Sequence, residues 1–202
     1  MKKIIYSAMI LSLAFATSCK DDKNDDVIGQ VSFKTAQIWT IPAGNGAPKQ
    51  EWSDVVMATG ARKNTFNGTV ADCCQNSPYG DLFSWHAVNA YKDQLCPGDW
   101  RVPTHQDFIN LDMAMGGTGN GRTGHIPFVN EKYITLWGGT FGGDSRLNGT
   151  LESQGSWAFY WSATAAEDAT DARSLQFGAN GSILPKAQHT KSYGFMVRCV
   201  RD

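Results

Sequence analysis

An α+β domain is what this chain predicts, on three observations. Two helix-start signals, at Ser84 and Thr104, stand in its first half. From Tyr133 onward the texture changes to short runs rich in aromatic and branched residues: Tyr133 to Trp137, Phe159 to Ala163, Arg173 to Phe177, Ser182 to Leu184 and Phe195 to Val200. Composition agrees, because 21 Gly and 7 Trp with only 18% charged residues suit a loop-rich domain pinned by large aromatics rather than a helical bundle.

The elements follow in chain order. Lys2 and Lys3 precede an apolar run from Ile4 to Ala16, shorter than the roughly 20 residues a spanning helix needs. Small residues Ala16-Thr17-Ser18 then lead into Cys19. This order resembles a bacterial lipoprotein signal peptide, although Ala16 stands where Leu is usual. The resemblance implies cleavage after residue 18 and acylation of Cys19; several acyl chains meet the need for more than one to anchor stably. Lys20 to Asp26 is wholly polar and reads as a solvated tether. Lys20, Asp21 and Asp22 resemble the Lys-acid-acid export signal of Bacteroidetes lipoproteins, which implies an outer-membrane lipoprotein facing the cell exterior. The chain therefore divides into a signal over 1–18, a tether over 19–30 and a single domain over 31–202.

Val31 to Ile41 reads as a first strand, stopped by Pro42 and the Gly44-Asn45-Gly46 turn, and residues 42–80 read as a long irregular segment. Ser84 caps a helix from Trp85 to Tyr91 with Trp85, Val88 and Ala87 inward. Thr104 with Asp107 forms a capping box, and Phe108, Leu111 and Met115 share one face of a helix that stops at Gly116-Gly117. Ala179-Asn180-Gly181 turns a hairpin between the third and fourth β runs. Beyond Cys19 the chain holds Cys73, Cys74, Cys96 and Cys199, which allow three pairings. Cys96 with Cys199 is favoured, since both sit in the most structured-looking motifs; Cys73 and Cys74 either bond each other through a tight ring or take distant partners.

Four motifs occur in order: Tyr79-Gly80-Asp81-Leu82-Phe83-Ser84-Trp85, Cys96-Pro97-Gly98-Asp99-Trp100-Arg101-Val102-Pro103-Thr104, Tyr160-Trp161-Ser162-Ala163-Thr164 and Gly194-Phe195-Met196-Val197-Arg198-Cys199-Val200. Together they resemble the Fibrobacter succinogenes major paralogous domain (FISUMP) of bacterial surface lipoproteins, with Asp99 standing where that family usually has Gly. The resemblance implies a C-type-lectin-like fold, two helices flanking a twisted antiparallel sheet with long loops, and a Cys96–Cys199 disulfide. The residues themselves read as scaffold: Trp100, Trp161 and Phe195 as core aromatics, and Arg101 and Arg198 as partners of buried carbonyls or a carboxylate.

Chemistry is bounded mainly by exclusion. A net charge of −1 gives no basic footprint for nucleic acid. His86, His105, His125 and His189 lack a nucleophile setting, and Gly119 to Gly124 matches G-x-G-x-x-G only by letter, because it follows a helix and not a strand. No enzyme and no cofactor are expected. The triplets through which C-type lectins hold calcium are missing; Glu167, Asp168 and Asp171 are the weak calcium candidates. The expectation is a non-catalytic binding module for a glycan or protein ligand, touching the membrane only through its lipid. Its contacts fall on the polar stretch before Tyr193: Arg173, Gln176, Lys186, Gln188, His189 and Tyr193. Calcium-independent sugar binding through exposed aromatics such as Tyr193 or Trp137 is left open. A structural envelope or appendage subunit docking to another bacterial protein is the alternative.

Overall fold

The computed structural model describes residues 30–33, 37–59, 66–70, 73–121 and 127–202, so Cys19, Lys20, Asp21 and Asp22 lie outside the described residues. The domain is α+β, with short helices set against mostly antiparallel sheets. Helix α1 (Trp85–Ala90) begins where the Ser84 side chain accepts from the Ala87 amide. It buries Trp85, Ala87 and Val88, the three residues the sequence turns inward. Helix α2 (Lys92–Leu95) follows after Tyr91 and was not foreseen. Helix α3 (His105–Ala114) carries the complete Thr104–Asp107 capping box and buries Phe108 and Leu111, with Met115 buried at its end. The Arg101 guanidinium grips the same Asp107 carboxylate at 2.6 and 3.0 Å. Burial alone would raise the Asp107 carboxyl, but these bonds and those from Thr104 hold it below the usual carboxylate range.

The C-terminal strand is built into a three-stranded sheet. It covers Arg198–Arg201 and pairs with Gln50–Val55, which pairs in turn with Trp39–Ile41. A second sheet orders Ile183–Thr190, Asp171–Gly178 and Trp157–Ala165 as a meander. The hairpin between Asp171–Gly178 and Ile183–Thr190 turns at Gly181, whose φ of +92° favours glycine. A third sheet runs Cys74–Gln75, Leu82–Ser84, Gly194–Phe195, Asp144–Ser145, Leu151–Glu152, and Gln30–Ser32 pairs with Met57–Thr59 apart from it. Trp161 donates its indole N–H to the Phe83 carbonyl at 2.8 Å, and Trp85 donates to Ser162 O at 2.9 Å. These two bonds weld the meander to the third sheet and to α1, so the aromatic motifs are structural joints as well as apolar burial. The Cys96–Cys199 disulfide spans 103 residues with a Cα–Cα distance of 5.6 Å, and Cys73 bonds Cys74.

Several expectations are corrected. Tyr133 to Trp137 is not a strand: Tyr133 lies in helix α4 (Pro127–Thr135), and Trp137 continues its last turn by donating to Lys132 O. Tyr133 and Trp137 are four residues apart and both fully buried, while Ile134 and Leu136 are exposed, which is the helical spacing and not the strand alternation. The segment 42–80 is less irregular than it reads, containing Gln50–Val55, Met57–Thr59 and Cys74–Gln75. Its central strand hides because its buried positions include Gln50 and Ser53; Gln50 donates to the Asp107 carbonyl, and Ser53 Oγ accepts from the Cys199 amide. The expected strand from Val31 to Ile41 is two strands in different sheets. Phe195 to Val200 likewise divides between Gly194–Phe195 and Arg198–Arg201, with Met196 bridging to Tyr160. Residues 194–200 are buried throughout, so no wet face marks the break.

Candidate functional site

A pocket of about 280 Å³ lies where the meander meets the third sheet. Asp144, Arg146 and Ser153 line one side, Trp157, Phe159 and Phe195 another, and Gln176, His189 and Tyr193 complete it. Its volume is near the lower end of ligand pockets, roughly 300–1,000 Å³, a size for one ring or side chain rather than an extended chain. The site is built from local rules. Asp144 and Glu152 stand opposite each other in a short hairpin closed by Asn148 and Gly149. Gly143, at φ +66°, lets this hairpin close: a Cβ there would drive into the Glu152 carbonyl. That glycine therefore sets where Asp144 sits.

Asp144 is 1% exposed, and its carboxyl is engaged by Arg146 and by the Ser153 hydroxyl. Arg146 Nε lies 2.8 Å from Asp144 Oδ2 and 2.9 Å from Glu152 Oε2, so one guanidinium serves two carboxylates. The same guanidinium caps the Tyr193 ring at 4.5 Å from its centroid. Burial pushes the Asp144 carboxyl above the usual carboxylate range, and Glu152 adds to this against the pull of Arg146 and the Ser153 hydroxyl. Phe159 and Phe195 stack at 4.8 Å, and the His189 ring stands edge-on to both at 5.4 and 5.0 Å. His189 Nδ1 is 2.9 Å from Ser174 Oγ, which leaves Nε2 as the second polar edge of the ring.

Burial, with Arg146 nearby and only Asp171 opposing, drops the His189 pKa to about 4. The imidazole is therefore neutral in the folded protein at neutral pH. The sign of the linkage follows: the unfolded histidine takes a proton near pH 6.5, whereas the folded one resists until about 4. Stability is intact above pH 6.5 and drains as pH falls from there to about 4, by up to about 3 kcal/mol. His189→Gln is expected to flatten this slope, as read from urea unfolding at pH 7 and pH 5. An equally steep slope in the variant would remove His189 as its source.

The sequence candidates divide between two faces. Gln176, His189 and Tyr193 come together at the pocket. Arg173 and Gln188 are paired across the ladder, one step out of phase with the Ala172–His189 pair, and so project from the opposite face. Arg173 and Lys186 bear electrostatically on His105 of α3, and Lys186 reaches Asn120 at 2.9 Å. Trp137 is fully buried and offers no stacking surface, whereas Tyr193 is half-buried beneath Arg146. Asp168 Oδ1 accepts from the Thr170 amide and hydroxyl and so closes its own turn. Among the described residues, no three His, Cys, Asp or Glu side chains form a group that could hold a metal ion. Arg101 and Arg198 are both engaged within the protein, the first by Asp107 and the second by the Ser53 and Trp137 carbonyls. Sequence reasoning missed Asp144 and Arg146; the Asn148-Gly149 turn, read as a hairpin, is the signal that places Asp144 across from Glu152.

Fold and pocket together define a disulfide-linked, mostly antiparallel α+β domain with a small aromatic and polar recess where the meander meets the third sheet. The chain belongs to the Fibrobacter succinogenes major domain family, whose model matches residues 36–201. No curated protein and no solved structure matches it.

Proposed function

We propose that this protein is a non-catalytic glycan-binding module, tethered to the outer membrane by lipid on Cys19 and facing the cell exterior. The observation that carries the reading is the pocket itself: half-buried aromatic surface from Trp157 and Tyr193 beside planar polar groups from Gln176, His189, Arg146 and Asp144. Sugars present apolar ring faces and a rim of hydroxyls, and such a mixture of flat rings and fixed donors and acceptors matches both. Preformed anchoring supports binding over chemistry: Ser174, the hydroxyl beside His189, is fully buried within a strand and unavailable as a nucleophile. A C-type-lectin-like fold is part of the proposal. It is supported by the pairing of the C-terminal strand with the earlier strands Gln50–Val55 and Trp39–Ile41 in one sheet, the helices flanking a meander, and the Cys96–Cys199 bond.

The full chain in uncharged detergent, applied to a broad glycan array with calcium and again with EDTA, tests the reading. Binding retained in EDTA and lost in Trp157→Ala is expected. Silence on the array in both conditions would move the module toward a protein ligand. Protease shaving of intact cells tests the address, and complete protection of the protein would refute surface display.

A further inference from the structure

We propose that the pocket beside His189 and Gln176 takes an acetamido group, so that the glycan recognised carries an N-acetylated amino sugar rather than a plain or free-amine one. This deepens the glycan reading and rests on it.

The polar atoms that a ligand can reach point this way. Asp144 is sealed into the wall, its carboxyl engaged by Arg146 and the Ser153 hydroxyl, so the charged pair is spent within the protein. Three neutral groups of the lining differ. The Gln176 carboxamide, the Trp157 indole N–H and His189 Nε2 make no hydrogen bond among the described residues. All three belong to half-buried side chains, and none is closed off from solvent as the indole nitrogens of Trp52 and Trp137 are. Each is open to a ligand.

The hydrogen on His189 follows from its neighbour. The ring is neutral at neutral pH, and Nδ1 lies 2.9 Å from Ser174 Oγ. The Ser174 hydroxyl is fully buried and meets no other partner among the described residues. It therefore donates to Nδ1, because the reverse arrangement would leave a buried O–H without an acceptor. Nε2 then carries the ring's hydrogen and is a donor. The reachable set is thus donor-rich: His189 Nε2–H, Trp157 Nε1–H and the Gln176 amide N–H, with Gln176 Oε1 as the acceptor. An acetamido group answers this set. Its carbonyl has two lone pairs for the donors, its N–H suits Gln176 Oε1, and its methyl suits a wall of Trp157, Phe159 and Tyr193. An ammonium would bring donors to donors and accept from none of them. A ring hydroxyl would bring no apolar part to the aromatic wall. About 280 Å³ is room for such a side group and part of its sugar ring.

The test is an NMR titration of the full chain in uncharged detergent. The probes are the methyl β-glycosides of N-acetylglucosamine, N-acetylgalactosamine, glucose and galactose, together with N-methylacetamide. One N-acetylated glycoside or both are expected to bind roughly tenfold more tightly than the parent sugar and than N-methylacetamide. Gln176→Leu is expected to remove that preference while melting near the wild-type temperature, since the Gln176 side chain makes no bond inside the protein. A preference unchanged in a folded Gln176→Leu would overturn the pocket as the seat of the acetamido group. If each N-acetylated glycoside binds no better than its parent, the acetamido proposal is overturned and the glycan reading stands. N-methylacetamide binding as tightly as the better glycoside would keep the amide site and overturn the glycan reading in favour of a protein ligand. No binding of any probe would overturn the acetamido proposal, and silence on the glycan array as well would overturn the glycan reading. The ligand series uses the natural chain, so a misfolded variant would not remove the test.

Discussion

Replacing Cys96 and Cys199 together by Ser is expected to destabilise the domain by about 4 kcal/mol, which lowers Tm by about 8–16 °C for a domain of this size. The bond closes a loop of 103 residues, so it withdraws a large set of open conformations from the unfolded chain. Both cysteines are almost fully buried, and the partner of Cys96 lies in the C-terminal strand, paired with Gln50–Val55. The Cys73–Cys74 bond supplies the control. With a sequence separation of one it closes no loop of chain, so Ser at both positions removes almost no loop entropy. Urea unfolding of the two double variants separates the effects. Equal losses from the two pairs would show that loop closure is not what the long-range bond contributes.

Arg198→Ala is expected to cost a similar amount, about 4 kcal/mol, through a different mechanism. Arg198 is 1% exposed; its Nε donates to the Ser53 carbonyl at 2.6 Å and its Nη1 to the Trp137 carbonyl. The guanidinium stacks over Trp137 at 4.4 Å and approaches Trp39 at 5.8 Å. One side chain thereby ties the terminal sheet to the end of α4. Burial pulls its pKa down to about 10, with Tyr160 and Asp54 opposing, so it remains charged at neutral pH. Truncation leaves two buried carbonyls bare and opens a cavity beside Trp137, and these losses exceed the relief of removing a desolvated charge. Arg198→Met refills most of the volume but not the hydrogen bonds, and about half the loss is expected there. A loss under about 1 kcal/mol in Arg198→Ala would mean that the desolvation cost had dominated instead.

What could be read from the sequence is what short-range physics decides. Ser84 and Thr104 with Asp107 announce α1 and α3, because a cap and its acceptor lie within three residues of each other. The strands around Trp161 and Leu175 and the turn at Gly181 are legible for the same reason. Where local signals are ambiguous, the reading fails. Tyr133-Ile134-Thr135-Leu136-Trp137 has strand composition but helical burial, since only packing against Phe177 and Tyr160 decides which residues turn inward. Gln50 and Ser53 look like a wet strand until Asp107 and Cys199 arrive as their partners.

The pocket divides along the same line. The sequence by itself determined the α+β class, the two main helix starts, the family motifs and a polar stretch ending at Tyr193 that holds Gln176 and His189. Only the tertiary structure decided which side chains of that stretch share a face, because strand alternation sends Arg173 and Gln188 to the far side. It alone brought Asp144 and Arg146 against His189 and Tyr193, from a sheet whose strands are scattered from Cys74 to Phe195. A carboxylate becomes a desolvated acceptor through the company that burial gives it, and no local pattern encodes that company.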